Sequence, residues 1–348
     1  HTKDIIYLDD DELVVLEKDK FEVRKHGKVV HKEIKRVEWD AVVSDKNGYD
    51  HYMLKEIYEQ PIVVRNLISK YIAHNKVVFK KIGFGKDEVA QIKRFIIQAC
   101  GTSWHAALLG KYLIESYTRV PTEVDISSEF RYRAIIAEGN KIVVAISQSG
   151  ETADTLACLR EAKSKFFKVL SFVNVKGSSM DRESDGVIYT HSGPEIGGAS
   201  TKNYVAQLVS IYLFTIYLGH LKWTLNDEQI EIMLQNLRRV PEQINSILQQ
   251  TEKIKEIAKK YAKSREFIFI GRGVNYPTAL EGALKLKEIS YIHAAGYPAG
   301  ELKHGPIALI DEKLPVVCIA PQSETYEKMI SNIQEIKARK GKIIAIAT

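Results

Sequence analysis

Three hydroxyls and a glycine fall within six residues at Ser147-Gln148-Ser149-Gly150-Glu151-Thr152. The segment follows the apolar run KIVVAI and leads into ADTLACLREAK, a strand-then-helix pattern. A loop of this composition at the C-terminal end of a parallel strand is a phosphate cradle. Backbone amides bind the oxygens, Ser and Thr add donors, and the helix dipole contributes modestly. The bland alternative is that Glu151 and Thr152 simply cap the helix. Cys100-Gly101-Thr102-Ser103 has the same setting, and it reads equally as an anion site or as helix caps. Gly193–Lys202 (GPEIGGASTK) reads as a loop whose small residues permit close backbone approach to a sugar, or as a plain connection; a helix cap is expected at Ser200 or Thr201.

Acid–base candidates lie further along. Lys285 and Glu288 are three residues apart on a predicted helix and share a face. On a solvated face they form a surface pair worth a few tenths of a kcal/mol at most. Lining a cleft, Glu288 becomes a general base and Lys285 an electrophile or anion partner. His304 stands beside a Gly-Pro turn in GELKHGP, where it could shuttle protons or be merely structural. His105 and His293 read as packing residues. No GxxxxGK[ST] and no GxGxxG is present, which argues against a nucleotide P-loop or a dinucleotide fold.

The elements that must position these residues occur twice. FIIQACGTSWHAALLGKYL from Phe95 and FIFIGRGVNYPTALEGALKL from Phe267 share Phe, Ile, Gly, Ala, Leu and Gly at a constant offset of 172. VVAISQSGET from Val143 matches VVCIAPQSET from Val316, and KVLSFVN at Lys168 matches KIIAIAT at Lys342. The repeated strand–helix–strand–helix–strand order implies an α/β fold of two duplicated domains, each a parallel sheet flanked by helices. Copy two has Ala320, Pro321 and Gln322 where copy one has Ser147, Gln148 and Ser149, so one polar ligand site per chain is expected, centred on copy one. Copy two has six residues after Lys342, which implies a second domain truncated at its C-terminus. Boundaries are expected at 49–224 for the first domain, 225–264 for a helical connector split by Pro241, and 265–348 for the second. A leading helix at Tyr49–His74, kinked or split by Pro61, opens the first domain. Residues 1–48 hold strand-like runs (DIIYL, ELVVLE, KVVHKEIKRVEW) matching neither copy and too few for an independent core.

Composition narrows the classes. The chain has 348 residues, 45% hydrophobic and 27% charged, ordinary globular usage for about two domains. The longest apolar stretch, Leu208–Gly219, is shorter than a membrane span, and the N-terminus lacks a secretory pattern, so no membrane association is expected. Cys100, Cys158 and Cys318 have no metal-site spacing and read as reduced, partly buried thiols in a cytoplasmic protein. The net charge of +6 is interleaved with acidic residues, without the basic tract of a nucleic-acid binder, and suits a small anionic ligand.

Together, CGTS, SQSGETADT, GPEIGGASTK, EGALKLKEISYIHA and GELKHGP resemble the isomerase half of the glutamine–fructose-6-phosphate aminotransferases, which comprises two sugar isomerase (SIS) domains. The resemblance runs from about Tyr49 to the end. YLDDDELVVL resembles the tail of the family's glutaminase domain, making residues 1–48 its remnant and linker. The resemblance implies fructose 6-phosphate as substrate, glucosamine 6-phosphate as product, no cofactor or metal, and a homodimer. By the same resemblance Glu288 is the base moving a proton between C1 and C2. Lys285 polarises the sugar oxygens, and His304, supplied by the neighbouring subunit, promotes ring opening. Thr102, Ser103, Ser147, Gln148, Ser149 and Thr152 hold the phosphate, and the Ser200 region contacts the sugar. The family's glutaminase cysteine and its imine-forming lysine fall outside these residues, so ammonia release is not expected of them, and the fragment alone is expected to bind substrate without completing catalysis. A fructosamine-6-phosphate deglycase and a non-catalytic sugar-phosphate sensor are the competing readings.

Overall fold

The computed structural model describes residues 3–36, 45–133 and 141–348. The chain divides into two compact units, His1–Asn47 and Gly48–Thr348. In the first, β1 (Asp4–Ile5) pairs antiparallel with β5 (Lys35–Arg36), and β2 (Glu12–Leu16), β3 (Phe21–Lys25) and β4 (Lys28–Val30) form an antiparallel meander. Lys32 ties its loops, reaching Asp9 at 2.6 Å and Glu12 at 2.8 Å. The end of the third strand-like run, from residue 37, lies outside the described residues.

The second unit opens with α1 (Tyr52–Tyr71), the short pair β6 (Ile72–Ala73) and β7 (Lys76–Val77), and α2 (Lys86–Gln91). Copy one follows: β8 (Arg94–Ala99), α3 (Gly101–Thr118), β9 (Thr122–Ile126), α4 (Ser127–Phe130), β10 (Lys141–Ser147), α5 (Ala153–Ser164), β11 (Lys168–Val173), α6 (Ser179–Glu183) and β12 (Gly186–Tyr189). Then come α7 (Lys202–Leu221), α8 (Asp227–Leu248) and α9 (Thr251–Tyr261). Copy two is β13 (Glu266–Gly271), α10 (Asn275–Ser290), β14 (His293–Pro298), two 3-10 turns at Ala299–His304 and Pro306–Leu309, β15 (Pro315–Ala320), α11 (Tyr326–Ala338) and β16 (Lys342–Ala347).

Both sheets are parallel. Their orders, β12-β11-β10-β8-β9 and β14-β13-β15-β16, match strand for strand over the four positions they share. The duplication read from the sequence is therefore a duplication of topology. Side chains alternate along β8: Phe95, Ile97 and Ala99 enter the core under α1, α3, α7 and α8, while Ile96 faces the core built with α5. Burial on both faces explains why these strands read as continuous apolar runs. In copy two α11 covers one face through Met329, Ile333 and Ile336, and α10 covers the other through Ala283 and Leu286.

Neither Pro61 nor Pro241 splits its helix. Pro61 lies inside a continuous α1 because Gln60 Nε2 donates to the Ile57 carbonyl at 2.9 Å, replacing the backbone donor that proline lacks. Pro241 is buried inside a continuous α8, one residue before Glu242, whose carboxylate accepts from Arg65 of α1 at 2.9 Å. The connector instead breaks at Gln249–Gln250, between α8 and α9. Helix α7 is, by length and composition, able to cross a membrane, but most of it is buried inside the fold, so it is the core helix of copy one. At its centre Phe214 packs edge-on to Phe95 and Phe172, with ring centroids 5.8 and 5.6 Å away.

Phe214→Ala empties that aromatic junction and should cost about 3–5 kcal/mol of unfolding free energy, with Phe214→Leu costing clearly less, as measured by urea denaturation. A pH effect arises at His191, which sits against the rings of Tyr71 and Tyr189. Burial first, then Lys70 and Lys176, lowers its pKa to about 4 from 6.5. The unfolded chain therefore binds the proton more tightly between these values. The stability held by neutral His191 should be complete above pH 6.5 and decline as pH falls towards about 4. His191→Asn should flatten that slope in urea titrations run at pH 7, 6 and 5.

Candidate active site

From β8 the chain crosses through α3 to β9 on one side, whereas β10 pairs on the other side of β8. The carboxyl ends of β8 and β10 thus flank a topological switch point, where open parallel sheets form their ligand crevice. Both hydroxyl-bearing segments are placed there: Cys100–Ser103 after β8, and Ser147–Thr152 after β10.

The second loop is tightly built. Ser147 Oγ accepts from the Gly150 amide at 3.0 Å and lies 2.9 Å from Thr152 Oγ1, and Ser149 Oγ accepts from the Glu151 amide at 3.1 Å. Gly150 has φ +69, and a Cβ there would stand 2.1 Å from Ser178 Oγ, so only glycine fits. Gln148 is fixed by its carbonyl, which accepts from the Asn174 amide at 3.1 Å. Thr152 occupies the N-cap position of α5 but makes no side-chain cap, since its hydroxyl turns to Ser147 instead. Thr152 therefore does not cap the helix, which presents its first amides without a side-chain acceptor. Beneath the loop, Gln98 and Ser127 are fully buried and bond to each other, and Ser127 Oγ also lies 3.1 Å from Thr155 Oγ1. Gln98 Nε2 donates to the Thr155 carbonyl at 3.1 Å, which locks the start of α5 to β8.

Thr102 and Ser103 lie in the first turn of α3, and neither caps it. Ser103 Oγ accepts from Gln207 Nε2 of α7 at 2.9 Å. Thr102 points to the other copy. Its Oγ1 donates to Glu281 Oε1 at 2.9 Å and accepts from Lys285 Nζ at 3.2 Å. Lys285 Nζ also stands 2.5 Å from Glu288 Oε2 and 3.4 Å from Glu281 Oε1. His105 is no mere packing residue: its Nδ1 lies 2.7 Å from Glu281 Oε2, both side chains being buried. A carboxylate only accepts, so His105 carries a proton on Nδ1. Tyr204 of α7 is half-buried with its hydroxyl withdrawn from water, and burial first, then the Glu281 carboxylate, holds its phenol far above the usual range. The geometry joins Thr102, Lys285 and Glu288 across the α3–α10 seam. Glu288 is 40% exposed at its side chain, against 6% for Glu281 and 19% for Lys285, so Glu288 is the carboxylate of the cluster that a ligand can reach. A half-open carboxylate beside a fixed ammonium can take up a proton while the cation steadies developing negative charge.

His304 is set apart. It ends the first 3-10 turn beyond β14, exposed, and no described hydrogen bond joins it to the seam. Ser200 Oγ donates to Glu195 Oε2 at 2.9 Å. The start of α7 is capped by Glu195 and not by Ser200 or Thr201, because Glu195 Oε1 accepts from the Thr201 and Asn203 amides at 2.7 and 3.3 Å. Sequence reasoning missed Glu281, His105, Glu195 and Gln207. For Glu281 a signal existed: positions 281, 285 and 288 form one stripe at helical spacing.

The SIS domain family matches this chain at residues 88–217 and 260–348. Glutamine–fructose-6-phosphate aminotransferase [isomerizing] of Methanosarcina mazei is 46% identical over 350 residues, covering all of this chain and 57% of that protein. The Chlorobaculum tepidum protein of the same name is 48% identical over 351 residues, with the same coverage. The solved C-terminal domain of glucosamine–fructose-6-phosphate aminotransferase from Francisella tularensis superposes with a TM-score of 0.85 at 44% identity, covering 87% of this chain and 85% of that one. The chain belongs to the glutamine–fructose-6-phosphate aminotransferase family, as its SIS-bearing isomerase portion. It spans 57% of the length of these curated relatives.

The loop 193–202 is braced from α1. Glu56, 3% exposed, accepts from the Ile196 amide at 2.5 Å and the Gly197 amide at 3.2 Å. A Cβ on Gly197 would meet Glu56 Oε2 at 2.5 Å. Lys202 Nζ reaches Glu59 Oε2 at 2.6 Å. Glu56→Ala should speed hydrogen exchange at Ile196 and Gly197 by about tenfold or more while the helical circular-dichroism signal is retained. Unchanged exchange at both amides would remove Glu56 as the anchor of the loop.

Proposed function

We propose that this chain binds fructose 6-phosphate and moves a proton between C1 and C2 of the opened sugar, the isomerising step on the way to glucosamine 6-phosphate. The single observation that carries this reading is Lys285, whose ammonium stands 3.2 Å from Thr102 of copy one and 2.5 Å from Glu288 of copy two. That contact ties a carboxylate base to the turn beside the hydroxyl loop.

The phosphate sits on the loop after β10. Ser147, Ser149 and Thr152 give it hydroxyls, and Gln148 and the first amides of α5 add donors. Thr102 and Ser103 close the grip from the β8 turn through their backbone amides, their hydroxyls being engaged by Glu281 and Gln207. Holding the phosphate end fixes the reacting carbons, so binding energy becomes orientation. Glu288, as carboxylate, removes a proton from C1 of the open sugar, in which ammonia nitrogen has replaced the C2 oxygen with loss of water. It returns that proton to C2 on one face of a planar enolamine, the nitrogen gaining the proton that the O1 hydroxyl gives up. Lys285 donates to the oxygen that gains negative charge in between. The loop at Ser200 contacts the sugar hydroxyls. His304 of a neighbouring subunit in a homodimer assists ring opening. Ammonia for the full reaction comes from glutamine, and the setting is cytoplasmic.

The test is incorporation of solvent deuterium into fructose 6-phosphate by the intact protein, followed by NMR. Glu288→Gln should lower the exchange rate about 10²–10⁴-fold, the range for losing a general base. Ser147→Ala should raise KM about tenfold, as expected for one lost hydrogen bond to a charged group. Exchange that survives Glu288→Gln undiminished would falsify the assignment of the base.

A further inference from the structure

We propose that Glu281, held by His105, is a positioning residue that sets Lys285 for the reaction. The inference deepens the isomerase reading of the same site and rests on it. Glu281 lies one turn before Lys285 on α10 and is 5% exposed. Carboxylates are almost never so buried without partners, and Glu281 has three: His105 Nδ1 at 2.7 Å, Thr102 Oγ1 at 2.9 Å and Lys285 Nζ at 3.4 Å. Its need for donors dictates the rest of the cluster. His105 must carry its proton on Nδ1, and Thr102 must turn its hydroxyl hydrogen to Glu281, leaving a lone pair for the ammonium. Lys285 Nζ is thereby fixed by three oxygens, on Thr102, Glu281 and Glu288.

The packing of the helix does not call for this carboxylate. The internal repeat puts Leu109 of copy one where copy two has Glu281, so the equivalent position accepts an aliphatic side chain. What Glu281 supplies is a second counter-charge. With Glu288 as the sole anion, Lys285 would hold the base in a closed ion pair whose lone pairs face the ammonium. With Glu281 sharing the cation, Glu288 can swing to substrate while Lys285 stays in place. His105 acts one step further out, because its N–H keeps the Glu281 carboxylate turned toward the seam.

The experiment uses the full-length protein that carries these residues and begins with deuterium exchange into fructose 6-phosphate by that protein without substitutions. No exchange at that stage overturns the isomerase reading and this proposal with it, before any Glu281 variant is made. With exchange present, Glu281→Gln should reduce kcat about tenfold or more with KM held within about threefold, since misplacing a group acts on turnover more than on binding. In a Lys285→Ala background the same substitution should cost less than about twofold further, because its effect passes through Lys285. A buried amide can impair folding, so His105 provides a second arm. His105→Leu should also lose kcat, and His105→Asn, which keeps an N–H near the Nδ1 position, should recover most of that loss. Equal losses with and without Lys285, or unchanged kcat in both Glu281→Gln and His105→Leu, overturn the proposal.

Discussion

Glu281 is a carboxylate withdrawn from water at the crossing of two helices that descend from the same repeat, and the site depends on what that burial demands. A carboxyl group at 5% exposure persists only with hydrogen-bonding partners. The groups that meet it come from both copies: Thr102 and His105 from α3, Lys285 from α10. The seam is therefore specific in a way an apolar contact would not be. Sliding α10 along α3 would break the Thr102–Glu281, His105–Glu281 and Thr102–Lys285 contacts together and leave the buried carboxylate only its own-helix partner Lys285. Helix register, and with it the place of Glu288, follows from that penalty.

The rest of the fold supplies the partner surface. Parallel strands buried on both faces set β8 beside β10, and their crossovers leave a crevice at the carboxyl ends. Gln98, Ser127 and Thr155 form a buried polar network below that crevice, so the loop after β10 stands on fixed ground. Helix α7 contributes from behind, since it bears Gln207 against Ser103 and buries Phe214 among the aromatic side chains of the sheet. A rigid core at one end and a braced loop at the other let the accessible carboxylate be the adjustable part.

Much of this architecture was legible in the residues, and the parts that were not share a cause. The duplicated strands and helices could be read because each copy carries its own apolar pattern, and a shared offset is a local property. The hydroxyl loop was legible because six consecutive residues make it. His105 and Glu281 were not, because their meaning depends on which faces of two distant helices touch. The split expected at Pro61 failed for a smaller reason. The rule that proline breaks helices assumes the abandoned carbonyl stays unsatisfied, and Gln60 satisfies it. The start of α7 misled similarly, with Ser200 and Thr201 being conventional caps and the role falling to Glu195, whose carboxylate returns from the preceding loop.

The loop of copy two shows how thoroughly the halves have parted. Where copy one has Gln148 and Gly150, copy two has Pro321 and Ser323. Proline offers no amide, and Ser323 does not take the left-handed backbone of Gly150 but keeps its hydroxyl 3.2 Å from that of Thr325. The change is in the path of the main chain as well as in its side chains. Restoring serines at Ala320 and Gln322 would not rebuild an anion nest there, so the specialisation of the two halves behaves as a ratchet: single substitutions can erode the surviving cradle, but none recreates the lost one.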